Sequence, residues 1–227
     1  MRKVCDHCQL PLKSCLCQWT HSIDYECDWA VWQDPAEAKH AKNTLRLLSL
    51  CWPKLKLFRY SQLDDVSHFQ QWLAKGPVYL VFPVNKACLP GYPAPKSHHL
   101  DDWLSSLTHS NSTECIKPRL LFIDATWRKA TAMILQHQDI ACLPRLSLNL
   151  PEHAQYVIRK SPNAQSLSTF EAVMGCLSIW CQANRQLSGG SDEDEVHLQR
   201  LWQGYRAWQA SIMAFRKAGE MGCQHKG

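Results

Sequence analysis

Four cysteines near the amino terminus have the side chains and the spacing of a metal site. A Cys-x2-Cys pair and a Cys-x-Cys pair lie within thirteen residues, at Cys5, Cys8, Cys15 and Cys17. Structural zinc prefers four thiolates in a tetrahedron, and such short spacings let the chain wrap the ion at little cost in chain entropy. We therefore predict a structural Zn²⁺ site. Redox chemistry and an iron–sulfur cluster are the alternatives for the same cysteines.

A second candidate for chemistry is the acidic residue at the end of an apolar run. Residues 120–123 form that run, Asp124 follows it, and Thr126 and Trp127 then open a helical pattern. In α/β enzymes the catalytic groups lie in loops beyond the carboxyl ends of the strands. Asp124 is therefore a candidate catalytic residue, although an Asp or Thr in this position also fits a simple helix cap.

The elements that must position these residues follow from an alternation of short apolar runs with helical patterns. Strands are predicted at 29–32, 55–60, 78–82, 120–124 and 146–150, and helices at 37–50, 64–74, 99–107, 126–137 and 169–186. Such alternation predicts an α/β fold with a mostly parallel sheet and helices on both faces. Ligands bind beyond the carboxyl ends of the strands in this class, so the loops after Phe82 and Asp124 are expected to carry the site.

A further long helix is predicted after the glycine pair at 189–190. Its apolar residues recur every three or four positions, which places them on one face and indicates core packing. These residues are Leu198, Leu201, Trp202, Tyr205, Trp208, Ile212 and Phe215. The acidic run at 192–195 stands at the predicted start of this helix, where negative charge is favoured, and we interpret it as capping.

Length and composition indicate a folded chain with one principal domain. Of the 227 residues, 45% are apolar and 20% are charged, which is typical of globular domains. We expect a domain at 28–227 and a small zinc-binding segment at 1–27. The net charge of +5 favours an anionic partner. The sequence has neither a signal region nor an apolar run of about eighteen residues, so we expect a cytoplasmic protein with no membrane partner.

Ordered blocks along nearly the whole chain resemble the DTW-domain family of tRNA-uridine aminocarboxypropyltransferases. The Asp-x-Thr-Trp core of that family is matched by Asp124, Thr126 and Trp127. The other matching blocks are the four amino-terminal cysteines, Asn43-Thr44, Leu80-Val81-Phe82-Pro83 with Ala87, Tyr156-Val157-Ile158-Arg159 and Leu167-Ser168-Thr169-Phe170-Glu171-Ala172. Where family members often have a Ser after the third strand, this chain has Val84-Asn85-Lys86.

The resemblance implies transfer of the aminocarboxypropyl group of S-adenosylmethionine to N3 of a uridine in tRNA, with methylthioadenosine as the coproduct. Bacterial members of the family suggest the variable loop of the tRNA as the target, and other members act in the D-loop. The family is similar to the SPOUT methyltransferases, which implies a carboxyl-terminal knot that holds the cofactor. Knotted chains are rare, so this expectation depends on the resemblance alone.

The resemblance also implies the residues of the site. We assign Asp124 as the general base, because uridine N3 must lose its proton before it attacks the γ carbon of the methionine arm. The residues expected to bind the cofactor are Phe82, Pro83, Thr126, Trp127, Leu167, Ser168, Thr169 and Glu171. Those expected to contact the tRNA backbone, as a basic rim around the pocket, are Arg128, Lys129, Arg159 and Lys160. Plain solvation at the surface is the alternative for these basic residues. A core anchor is the alternative for Trp127, and a plain helix cap is the alternative for Thr169 and Glu171.

Two other functions are compatible with the same residues. A SPOUT-like pocket usually serves methyl transfer to RNA, which would release S-adenosylhomocysteine. A non-catalytic, zinc-dependent RNA-binding module would bind tRNA and leave S-adenosylmethionine intact. The nature of the coproduct distinguishes these functions from aminocarboxypropyl transfer.

Overall fold

The computed structural model describes residues 3–40, 43–60, 63–83, 87–88, 94–108, 117–148, 167–188 and 193–223. The described strands are β1 (Ala30–Gln33), β2 (Lys56–Arg59), β3 (Tyr79–Val81), β4 (Ser97–His99), β5 (Leu120–Asp124) and β6 (Arg145–Ser147). They form one six-stranded sheet in the order β2-β1-β5-β3-β6-β4, and every neighbouring pair is parallel. The predicted α/β fold with a mostly parallel sheet is therefore confirmed.

Helices cover both faces of this sheet, as predicted. The described α-helices are α1 (Pro35–Ala38), α2 (Thr44–Cys51), α3 (Leu63–Ala74), α4 (Leu100–Thr108), α5 (Trp127–Leu135), α6 (Gln138–Ala141), α7 (Thr169–Ser188) and α8 (Glu193–Cys223). Helices α2, α4, α7 and α8 share one core with Val31 of β1, whereas α3, α5 and α6 share the other core with Trp32. Side chains alternate along a strand, so these two neighbours enter opposite cores.

The structure differs from the prediction at two places: strand β4 was not predicted, and one predicted helix is divided. Strand β4 has the sequence Ser-His-His at the edge of the sheet and its histidines are exposed, so it carries no apolar alternation that predicts a strand. The helix predicted at 37–50 is two helices. Asn43 accepts a hydrogen bond from the backbone N–H of Arg46 and so starts α2 as a separate helix.

The carboxyl-terminal helix α8 packs as its pattern predicts. Leu198, Leu201, Tyr205 and Trp208 are buried in the core that also contains α7, and Trp202 and Ile212 are half-buried against it. The side chain of Phe215 lies outside the described ones. Cys8, Leu16 and Cys27 of the amino-terminal segment belong to the same core. The boundary at residue 27 stays a prediction. The knot and the relationship to SPOUT methyltransferases also stay predictions, because residues 149–166, between β6 and α7, lie outside the described residues.

A histidine pair joins the amino-terminal segment to α8 and makes this contact sensitive to acid. His21 Nε2 and His197 Nδ1 are 2.8 Å apart, and the two rings stack. Burial lowers the pKa of His21, and the neighbouring His197 and Arg200 lower it further. A histidine with a lowered pKa binds fewer protons when folded than when unfolded, so its contribution is complete above about pH 6.5 and is lost as the pH falls.

We therefore expect the melting temperature to fall between about pH 7.5 and about pH 5.5, and to fall less in His197→Gln, which removes one charge from the pair. Differential scanning calorimetry at several pH values measures this difference. An equal dependence on pH in both proteins would contradict the role of the pair.

Candidate active site

Asp124 lies at the carboxyl edge of the sheet, between two neighbouring strands whose following loops run to opposite faces. It ends β5 directly beside Gln33, the last residue of β1, and the two residues are register partners. The chain leaves β1 towards α2 on one face and leaves β5 towards α5 on the opposite face. Diverging loops of this kind open a crevice at the carboxyl edge of a parallel sheet, where α/β proteins bind their ligands.

Three side chains donate hydrogen bonds to the Asp124 carboxylate. Oδ2 accepts from Nε2 of Gln33 at 2.8 Å and from Nδ2 of Asn43 at 2.9 Å, and Oδ1 accepts from the hydroxyl of Thr169 at 2.6 Å. Asn43 caps α2 and Thr169 begins α7. The carboxylate therefore joins the ends of two strands to the starts of two helices, and its orientation is fixed from three directions.

Burial differs sharply within this hydrogen-bonded group. Asp124 is 6% exposed, and Gln33 and Asn43 are also buried, at 4% and 6%. Thr169 is half-buried and is the most exposed of the four. Thr169 is therefore the residue of the group that is most accessible to a ligand.

Sequence reasoning missed two members of this group. Gln33 received no role, although a buried amide at the carboxyl end of a central strand is a signal that was available. Asn43 belonged to a matching block but was also given no role. Its Nδ2 donates both to Asp124 and to the backbone carbonyl of Glu37, so it holds the turn between α1 and α2 against the site.

The start of α7 is a capping box. The Ser168 hydroxyl accepts from the backbone N–H of Glu171 at 3.2 Å, and Oε2 of Glu171 accepts from the backbone N–H of Ser168 at 2.7 Å. Burial raises the pKa of Glu171, against the hydrogen bonds from Ser168. The cap that the sequence left open as an alternative is thus present, and a cofactor contact by Ser168 or Glu171 stays a prediction.

Two aromatic side chains lie at the same edge of the sheet. Phe82 follows β3 and is buried, whereas Trp127 at the start of α5 is 41% exposed, and their ring centroids are 5.5 Å apart. An indole with this exposure is not a core anchor, so that alternative is wrong. Thr126 caps α5 through its position alone, because its side chain makes no capping hydrogen bond within the described residues. Pro83 and Leu167 are half-buried beside Phe82 and Ser168.

The residues predicted to contact RNA differ in their exposure and in their partners. Arg128 is exposed in the first turn of α5. Lys129 donates to Oδ1 of Asp34 at 2.8 Å, next to the end of β1, so its ammonium already has a partner. Arg159 and Lys160 lie outside the described residues. An RNA contact by any of the four stays a prediction.

The four amino-terminal cysteines converge as their spacing predicts. Their sulfur atoms all lie within 4.8 Å of one another, and Cys5–Cys17 and Cys8–Cys15 are each 3.7 Å apart. A tetrahedron with Zn–S bonds of about 2.3 Å places its sulfur atoms roughly 3.8 Å apart, so the arrangement fits zinc. We call residues 3–27, which contain these ligands, the zinc segment.

The thiols of this cluster have opposing proton affinities. Backbone N–H groups of Cys8 and His7 lower the pKa of Cys5 to about 6. Burial and the neighbouring thiols raise the pKa of Cys17 to about 12. Sulfur atoms this close cannot all ionise without a cation between them, and a divalent metal supplies that charge.

A separate cavity lies at the amino edge of the sheet, opposite the carboxyl edge that carries Asp124. It has a volume of about 530 Å³ and lies between α3 and α6, at the amino ends of β3 and β6. Its lining is largely apolar and includes Leu73, Val78, Leu143 and Pro144. It lies away from the Asp124 group and is not part of the candidate site.

The fold and the site define an α/β protein with a parallel sheet, a polar group at the carboxyl edge and an attached four-cysteine segment. The sequence profile of the DTW domain matches residues 2–203, a range that includes both Asp124 and the cysteines. The chain belongs to the DTW domain family.

Curated relatives of the chain carry transferase names. It is 26% identical over 185 residues to tRNA-uridine aminocarboxypropyltransferase 2 of Macaca fascicularis and 25% identical to the Mus musculus protein of the same name. These matches cover 78% of the chain and 56% of each relative, so the chain spans little more than half their length. The match to tRNA-uridine aminocarboxypropyltransferase A of Arabidopsis thaliana is 25% identical over 195 residues, or 78% of the chain and 72% of that protein. No solved structure matches the chain.

Among the described residues, no helix combines the length and the apolar character needed to cross a bilayer.

Proposed function

We propose that the chain transfers the 3-amino-3-carboxypropyl group of S-adenosylmethionine to N3 of a uridine in the variable loop of tRNA, in the cytoplasm. The observation that carries this proposal is the hydrogen-bonded Asp124 at the carboxyl edge of the sheet, within the Asp-x-Thr-Trp block of a DTW domain. The names of the three relatives support the reaction class. S-adenosylmethionine supplies the group as an electrophilic γ carbon next to a sulfonium.

The chain's own contribution is removal of the N3 proton and alignment of the two reactants. A bond forms between N3 and the γ carbon while the bond from that carbon to sulfur breaks, and the electron pair of that bond stays on sulfur in methylthioadenosine. The N3 proton is transferred to the Thr169 hydroxyl, and Thr169 passes its own proton to Oδ1 of Asp124 along the 2.6 Å hydrogen bond. Alignment selects the γ carbon over the methyl carbon.

The surrounding residues hold the reactants in this arrangement. Phe82, Pro83 and Thr126 lie beside the ends of β3 and β5, and Leu167, Ser168 and Glu171 lie at the start of α7. We assign these residues to the cofactor. The exposed ring of Trp127 offers a face on which adenine or the target base stacks.

We assign contacts to the tRNA backbone to four basic residues. Arg128, Arg159 and Lys160 are assigned to phosphate contacts. Lys129 is assigned to the same role while its ammonium stays paired with Asp34. Phosphate contacts position the RNA, and an unstacked uridine then enters the crevice.

The proton path predicts a clear difference between two substitutions at one position. Thr169→Val keeps the shape of the side chain but removes the hydroxyl, so we expect transfer to slow by about 10²-fold or more. Thr169→Ser keeps the hydroxyl and should retain most of the rate. Single-turnover kinetics with saturating S-adenosylmethionine measure both. Equal rates in the two variants would rule out a proton path through this hydroxyl.

Labelled cofactor tests the proposed reaction class. Purified protein is incubated with tRNA and S-adenosylmethionine that carries its label either in the methyl group or in the carboxyl group of the methionine arm. We expect the carboxyl label in the RNA and the methyl label in methylthioadenosine. Methyl label in the RNA would show methyl transfer instead, and bound tRNA without label would show a binding module.

A further inference from the structure

Helix α8 lies in direct contact with the zinc segment at Gly204. A Cβ atom at this position would lie 2.1 Å from the carbonyl oxygen of Trp19 and 3.2 Å from its carbonyl carbon. Trp19 ends the 3-10 turn that begins at the zinc ligand Cys17. Glycine is a poor helix former, so its presence within a long helix is explained by this close approach of two backbones.

The next residue, Tyr205, connects α8 to the start of α7. Its side chain is 1% exposed, and its hydroxyl is 2.9 Å from the hydroxyl of Ser168. Its ring stacks on Phe170 with a centroid separation of 4.2 Å and an interplanar angle of 6°. Ser168 and Phe170 are the two neighbours of Thr169, so one tyrosine contacts the chain on both sides of the residue that donates to Asp124.

These contacts form a continuous series from the metal ligands to the candidate site. We propose that Tyr205 is a positioning residue for the Ser168–Glu171 capping box, and that the zinc segment holds Tyr205 in place by docking on Gly204. The zinc segment then belongs to the machinery that shapes the cofactor site. The part of this inference that concerns cofactor affinity rests on the proposed function. The part that concerns the order of residues 167–172 does not.

The chemistry of the contact explains why a hydroxyl is needed as well as a ring. The Ser168 hydroxyl accepts from the backbone N–H of Glu171, and the Tyr205 hydroxyl is its second partner. A side chain held by two partners keeps one rotamer, and the backbone N–H groups at the start of α7 keep their directions with it. Without the tyrosine hydroxyl, Ser168 keeps the cap alone.

A double-mutant cycle tests the contact. Tyr205→Phe keeps the stacked ring and removes only the hydroxyl, and Ser168→Ala removes its partner. We expect Tyr205→Phe to raise the Kd for S-adenosylmethionine by about three- to tenfold and to speed amide exchange at residues 167–172, with zinc content unchanged. The double variant should be no weaker than Ser168→Ala, because both substitutions break one interaction. Tyr60→Phe is the matched control, since its hydroxyl donates to Oε1 of Gln136 on the opposite face of the sheet, away from α7, α8 and the zinc segment.

Gly204→Ala tests the connection to the zinc segment. Its control is Gln203→Ala, a substitution at the exposed residue that precedes Gly204. We expect Gly204→Ala to speed zinc release to a chelator and to speed exchange at residues 167–172, in the same direction as Tyr205→Phe. Faster zinc release with unchanged exchange at 167–172 would overturn the connection. Unchanged exchange in Tyr205→Phe, or additive effects in the cycle, would overturn the role of Tyr205.

Failure of the proposed function gives a different result. If the wild-type protein binds no S-adenosylmethionine, the proposed function fails, while the exchange rates at residues 167–172 still decide the role of Tyr205. Hydrogen exchange followed by mass spectrometry on the full chain gives this second readout.

Discussion

Replacing Asp124 by asparagine should slow transfer by about 10²- to 10⁴-fold and leave the fold and the cofactor affinity close to wild type. The asparagine amide oxygen can take the place of Oδ2 and accept from Gln33 and Asn43. The amide nitrogen can take the place of Oδ1 and donate to the Thr169 hydroxyl, which is able to accept. All three contacts survive, but the side chain no longer takes up a proton. Single-turnover rates and melting temperatures measure the two effects separately.

Asp124→Ala should lower both the transfer rate and the melting temperature more than Asp124→Asn does. It leaves three donors without their acceptor, and each buried unpaired donor costs about 1–3 kcal/mol. A wild-type rate in Asp124→Asn would show that the carboxylate only positions its three partners. A large loss of stability in that variant would show that an amide cannot replace the carboxylate in this group.

Asp28 supplies a matched control on the opposite edge of the sheet. Its carboxylate also accepts from three donors, Lys56 at 2.5 Å, Trp72 at 2.7 Å and Arg119 at 2.6 Å. Against the effect of burial, these donors hold the pKa of Asp28 at about 2. Asp28→Asn should therefore lower stability and leave the rate of transfer unchanged, since this residue has no part in the proposed site.

Loss of the zinc ligands should give the largest effect on stability. Zinc-finger peptides bind their metal with apparent free energies of about 10–16 kcal/mol, and removing one of four ligands weakens that binding and the stability it supplies. We expect Cys8→Ser to purify without zinc, to melt at a lower temperature and to be cut by protease within the zinc segment. The wild-type chain should contain one zinc per protein by elemental analysis.

Cys142→Ser is the control for this experiment, because Cys142 is an exposed thiol outside the cluster. It should keep its zinc and its melting temperature. An absorbance typical of an iron–sulfur cluster in the wild-type protein would show that the cysteines hold such a cluster and not zinc. A wild-type protein that folds fully without any metal would contradict the role of the cluster.

Local patterns were sufficient to predict most of the fold. Each predicted strand overlaps an observed one, because short apolar runs bounded by polar or turn-like residues stand out from their surroundings. The cluster of four cysteines was equally predictable, since its members are close in sequence and their short spacing alone brings them together.

The partners of Asp124 could not be predicted in the same way. Gln33 and Asn43 are 91 and 81 residues away from it in sequence, and they meet it only because β1 lies beside β5 in the sheet. Periodicity predicts that strands exist but not their order. Tyr205 shows the same limit, because the helical pattern placed it in the core without indicating that its hydroxyl faces Ser168.

The most direct test of the central claim is nucleoside mass spectrometry of tRNA after incubation with the purified chain and S-adenosylmethionine, with Asp124→Asn as the parallel sample. We expect a uridine heavier by one aminocarboxypropyl group, an equal amount of methylthioadenosine, and a strong reduction of both in the variant. A methylated nucleoside with S-adenosylhomocysteine, or unmodified tRNA when both substrates are bound, would contradict the proposed function.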